Sequence, residues 1–133
     1  MSSPSFLPDL ITLLGSSCVS VDDAAISEHS TDKWFASAPP QAVVFAESTE
    51  QVSQLMKFAS ERRIPVTPRG SGVGYVGGCV PLQGGIALSL ARMNRILEVN
   101  VADGVAVVQP GVITGELQNA AEALGWFYPP DPA

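Results

Sequence analysis

The chain has 133 residues, 46% of them hydrophobic and 15% charged, which suits one packed domain and excludes disorder as the main state. Its formal net charge of −6 argues against a nucleic-acid partner, because phosphate backbones select basic faces. A small anionic cofactor is not excluded, since local donors can hold it and charges beyond about 8 Å are largely screened.

The opening stretch MSSPSFLPDLITLLGSSC carries no basic residue and is interrupted at Pro8-Asp9, so it makes a poor signal peptide. No apolar run approaches the ~20 residues of a membrane-spanning helix. The two cysteines, Cys18 and Cys79, lie far apart in the sequence and read as free thiols in a reducing compartment. A cytoplasmic chain without a transmembrane segment is the expectation. With a single histidine, His29, and no C-x-x-C unit, a structural zinc site of the usual kind is not available.

Residues 8–14 predict a short helix, with Pro8 in its first turn and Gly15 just past its end. CVSV reads as a short strand, and a polar, loop-like segment follows from Asp22 to Pro40. AVVFAE, from Ala42 to Glu47, predicts a strand with an apolar centre. Ser48 and Gln51 then form a capping box, after which Val52, Leu55, Met56 and Ala59 make one apolar stripe at helical spacing. That helix should run to about Arg63, with IPVTP returning as a strand. The two strands of such a unit are expected to be parallel and joined by a right-handed crossover.

Three further strand-like runs follow: GIALSLA, ILEVNV and VAVVQP. Ala102-Asp103-Gly104 between the last two is a hairpin signal. Thr114 is a plausible N-cap for a second amphipathic helix, with Leu117, Ala120, Ala121 and Leu124 on its apolar face and Gly125 as its stop. The expected fold is α/β passing to α+β: a strand–helix–strand subdomain followed by an incomplete subdomain of antiparallel strands. The tail Trp126-Phe127-Tyr128 and the prolines after it read as a lead into more structure, because bare aromatics are costly.

Seven of the 12 glycines fall between Gly70 and Gly85, where average usage of ~7% would place about one. Such clustering implies positive φ angles or close backbone approach. Gly72, Gly74 and Gly77 spell a G-x-G-x-x-G, yet the Rossmann turn needs a helix opening at the glycines. Pro81, Gly84 and Gly85 follow instead and would break a helix at once. Glu98, 21 residues beyond Gly77, is a decoy for the ribose-binding acid. An extended glycine loop can still point several N–H groups into one concavity and hold an anion, and side chains at Gly72 or Gly74 would block that approach.

The ordered motifs PVTPRGSGVGYVGG, GGIALSLARMNRILEVN and AVVQPGV resemble the N-terminal part of the FAD-binding domain of the vanillyl-alcohol oxidase/p-cresol methylhydroxylase family. Within it the chain is most similar to the glycolate oxidase FAD-subunits and D-lactate dehydrogenases, with LSLARMNRILEV the most specific part. The resemblance runs from about residue 28 to the end, which makes 1–27 a helix and lead-in and 28–133 a partial FAD-binding domain. It implies FAD as cofactor and Pro68, Arg69, Gly70, Ser71, Gly72, Val73, Gly74, Gly77 and Gly78 as the loop around the pyrophosphate. It further implies Pro110, Gly111 and Val112 as a second turn on the flavin side, and Pro130 with Asp131 near the isoalloxazine. His29-Ser30-Thr31-Asp32 echoes a Y-S-x-D stretch of the family, which makes His29 structural.

In that family a T-I-G-G-like run and a substrate-cap domain follow, so the chain reads as a truncation. The complete enzyme would oxidise a D-2-hydroxy acid and pass electrons to a quinone, an iron–sulfur partner or another acceptor. No catalytic base stands out in this chain. Arg69 either neutralises cofactor phosphate or is solvated beside the loop, while Arg92 and Arg95 read as solvated turn charges. Two other readings stay open: a remnant or interaction module that binds no flavin, and an FAD domain serving different chemistry, as in aryl-alcohol oxidases or a cell-wall reductase.

Overall fold

A computed structural model describes residues 4–130. It divides the chain into two compact units, Met1–Arg92 and Met93–Ala133. The first contains, in order, α1 (Leu7–Leu14), β1 (Val19–Ser20), α2 (Asp23–Glu28), β2 (Ala42–Phe45), α3 (Thr49–Arg62), β3 (Val66–Arg69) and β4 (Ile86–Ser89). The second contains β5 (Ile96–Asn100), β6 (Val105–Val108) and α4 (Thr114–Glu122).

The sheet of the first unit has the order β1-β2-β4-β3. β4 pairs in parallel with both β2 and β3, and β1 adds to the edge of β2 antiparallel. The strand–helix–strand unit is present, but its two strands are not neighbours. GIALSLA, grouped in the sequence reading with the antiparallel runs, enters between them instead. Composition explains the placement: all four residues of β4 are buried, and a continuously apolar run seeks a central position covered on both faces. On one face Val43 and Ala87 pack with Ala25 of α2, flanked by Ile26 and Phe45.

The segment Asp22–Pro40 is not loop throughout. Asp22 accepts the Ala25 N–H at 2.9 Å and caps α2. Ser20 also donates its hydroxyl to Asp22. The hydroxyl and the Ala25 amide together hold the carboxyl of Asp22 below its ordinary pKa. His29 ends this helix, buried, with Nδ1 donating to the Ala25 carbonyl at 2.9 Å and its ring edge-on to Phe45.

Ser48 caps α3, accepting the Gln51 N–H at 3.3 Å, while Gln51 Oε1 accepts the Glu47 N–H at 2.8 Å. Ser48→Ala should therefore cost about 1 kcal/mol in a urea melt, with the slope of the transition unchanged. The buried face of α3 is Leu55, Phe58 and Ala59, so it is rotated from the expected stripe and leaves Met56 exposed. Arg62 lies over the Phe58 ring at 4.1 Å and reaches Asp9 of α1 at 3.1 Å. Arg92 is not a solvated charge. Its guanidinium donates to the Ser17 carbonyl at 3.0 Å and to Glu47 at 2.9 Å, and lies over the Phe45 ring.

In the second unit β5 and β6 form an antiparallel hairpin with an irregular register between Ile96 and Glu98, across the expected turn at 102–104, where Gly104 has φ +64°. Gly125, with φ +78°, follows the end of α4. Ile113, not Thr114, is the N-cap of α4, and no side chain caps it. Leu117 and Ala121 are buried but Leu124 is exposed. Every residue of β6 is exposed, as are Trp126 and Phe127.

Candidate functional site

β3 delivers the chain into the glycine-rich loop at Arg69. The loop leaves the carboxyl end of a parallel strand, where open α/β sheets bind ligands. No helix follows it; the next element is β4, so the Rossmann arrangement is absent.

Gly72 and Gly77 adopt φ of +73° and +75°. A Cβ on Gly70, Gly74 or Gly78 would meet no atom within 4 Å. Gly72 is different, since its Cβ would fall 2.1 Å from the Arg69 guanidinium. Here the missing side chain makes room for arginine. Across residues 70–76 no backbone N–H donates to an acceptor among the described residues. An anion nest is built from such unengaged donors, with open space for the ligand where side chains would project, as at Gly70 and Gly74.

Arg69 is not simply solvated beside the loop. It donates to the Thr31 carbonyl at 2.5 Å and approaches the Cys79 sulfur at 3.5 Å, tying the loop to the segment after α2. Two more hydrogen bonds join the same two stretches. Gly77 N–H donates to Asp32 Oδ2 at 3.0 Å, and Lys33 N–H donates to the Gly74 carbonyl at 3.2 Å. Asp32 Oδ1 also accepts the Trp34 N–H at 2.9 Å, which fixes the carboxylate from its own side. The Trp34 ring meets Tyr75 edge-on, with centroids 6.1 Å apart. Asp32 was visible in the sequence only as the end of HSTD.

The profile of the FAD binding domain family matches residues 40–133. The chain belongs to that family. It is 45% identical to the glycolate oxidase subunit GlcD of Bacillus subtilis (strain 168), over 71% of this chain and 20% of that protein. It is 43% identical to a D-lactate dehydrogenase of Anaerostipes hadrus, over 74% of this chain and 21% of that one. A solved p-cresol methylhydroxylase superposes with TM-score 0.77 and 27% identity, over 90% of this chain and 24% of the other. The chain thus spans about a fifth of the length of the curated relatives it matches.

For a member of the FAD binding domain family, the group to test against this loop is FAD. A pyrophosphate needs several converging donors and a backbone it can approach closely. Residues 70–74 carry N–H groups without acceptors among the described residues, and Cβ positions on Gly70 and Gly74 meet open space. The other expected contacts lie in the second unit. Gly111 N–H donates to the Met93 carbonyl at 2.8 Å and Val112 N–H to the Gln109 carbonyl at 3.2 Å, while Pro110 is exposed. The Pro130 carbonyl accepts from Gln118 at 3.0 Å, and Asp131 lies outside the described residues. That unit also holds an apolar cavity of about 230 Å³ lined by Val99, Ala106, Leu117, Ala121, Trp126 and Tyr128 among others. Among the described residues, no helix is long and apolar enough to cross a membrane.

Proposed function

We propose that residues 68–78 hold the pyrophosphate of FAD, with the N–H groups of residues 70–74 as donors, within an FAD-binding part spanning residues 28–133. The supporting observation is the run of N–H groups at residues 70–74 without acceptors among the described residues, with open Cβ positions at Gly70 and Gly74. Each charge-assisted hydrogen bond contributes about 1.5–3 kcal/mol, so three or four suffice to retain the cofactor. Within residues 1–27, β1 pairs with β2 and α1 packs on α3, bracing this part. Pro110 to Val112 and Pro130-Asp131 belong to the same proposal as flavin-side contacts, carried by the resemblance alone.

FAD, when bound, supplies the acceptor for hydride from the Cα of a substrate. The substrate class we assign to the whole protein is a D-2-hydroxy acid such as glycolate or D-lactate, supported by the names of the relatives. Electron exit to a quinone or an iron–sulfur partner is part of the same reading, as is a cytoplasmic location, which the free thiols Cys18 and Cys79 favour. None of the described residues is assigned as catalytic base; His29 is buried with Nδ1 engaged on a carbonyl.

The test is calorimetric titration of the 133-residue chain with FAD and with FMN, which has a phosphate but no pyrophosphate. FAD is expected to bind at least about tenfold tighter, because FMN leaves part of the nest unoccupied. Equal affinities would show that the loop does not hold the pyrophosphate. Binding of neither would favour an interaction module over a flavin site.

A further inference from the structure

The segment after α2 touches the glycine loop at several points, and one side chain stands at the centre of them. Asp32 turns one carboxylate oxygen to the Gly77 N–H and the other to the Trp34 N–H. On either side of it Thr31 accepts from Arg69 and Lys33 donates to Gly74. Apart from the Trp34 contact, each bond crosses from residues 31–33 to residues 69–77, so this segment works as a strap. We propose that Asp32 is the positioning residue of the glycine loop, fixing its far end at Gly77 so that the N–H groups of residues 70–74 converge on an anion. The proposal rests on the FAD reading for its consequence in affinity, but its geometry stands without cofactor.

The sign of the effect separates this role from a simpler one. A carboxylate that merely stood near the loop would repel a pyrophosphate, and its removal would tighten binding. A carboxylate that pre-organises the loop does the opposite, because without it the ligand must bear the cost of ordering the loop. Asparagine is the sharpest probe. It keeps the shape of aspartate but offers one acceptor oxygen instead of two, so it cannot serve Gly77 and Trp34 together. Glutamate retains both oxygens on a longer stem.

The experiment combines amide hydrogen exchange on the isotopically labelled 133-residue chain, recorded without cofactor, with FAD titration by flavin anisotropy. In Asp32→Asn the Gly77 amide should exchange at least about tenfold faster while Val44 and Ala87, in the central sheet, keep their protection, which shows that the fold persists. The FAD dissociation constant should rise by about tenfold, with Asp32→Glu recovering part of the loss. Unchanged Gly77 exchange, or FAD affinity that stays constant or tightens, overturns the proposal. If the unsubstituted chain binds no FAD, the cofactor reading fails; the positioning role then stands or falls on Gly77 exchange alone.

Discussion

Gly85→Ala should lower the stability of the chain by about 2–5 kcal/mol, the sum of a strained backbone and a lost buried hydrogen bond. Gly85 sits where three strands begin. Its carbonyl accepts the Gln41 N–H at 2.7 Å beside β2, and the next residue, Ile86, donates to the Pro65 carbonyl at 2.9 Å beside β3. A Cβ on Gly85 would fall 2.2 Å from that same Pro65 oxygen, and the residue has φ +73°. The neighbour cannot yield as a flexible side chain would, because it is backbone held within the sheet. Gly84→Ala is the matched control: it shares the positive φ, but its Cβ would lie 4.0 Å from Gln41 Cγ. It should cost only about 1–2 kcal/mol. Urea denaturation of both variants checks the contrast, and similar losses would contradict this account of Gly85.

The glycine cluster that the sequence displays as one feature therefore contains glycines with different duties. Gly85 keeps two strands in contact, and Gly72 makes room for Arg69. Gly70, Gly74 and Gly78 have no neighbour among the described residues that requires them to be glycine. Spacing alone could not sort them, since every one reads as the same letter.

The same limit explains where sequence reading succeeded and failed elsewhere. The helices α1 and α3 were legible because Pro8, Gly15, Ser48 and Gln51 are local signals with local causes. β4 was misplaced because strand pairing is a long-range choice, made here by burial on both faces rather than by turn chemistry. Helix α2 was hidden in a polar segment whose only strong cue was Asp22. Asp32 was missed as a structural partner of the loop because its contact spans 45 positions, and nothing local at either end announces it. The carbonyl partners of Arg69 and Arg92 were hidden for the same reason, since they lie 38 and 75 positions away.

Gly74→Val is the substitution that should harm the cofactor site while sparing the fold. Its φ lies outside the left-handed range and its Cβ would meet no atom within 4 Å, so the unliganded chain should tolerate valine within about 0.5 kcal/mol. A pyrophosphate seated on the loop would meet the new methyl groups and lose two or more charge-assisted hydrogen bonds, about 3 kcal/mol or more. That corresponds to at least about a hundredfold in affinity. Gly72→Val is a less clean probe because it also displaces Arg69.

The most direct measurement is flavin fluorescence anisotropy of FAD titrated with the unsubstituted chain, with Gly74→Val and with the Gly72→Val, Gly74→Val double variant. Saturable binding by the unsubstituted chain, weakened at least about a hundredfold in Gly74→Val and abolished in the double variant, is the result predicted for a glycine loop that holds the pyrophosphate. Binding that survives both variants unchanged would contradict it and place any flavin site elsewhere on the chain.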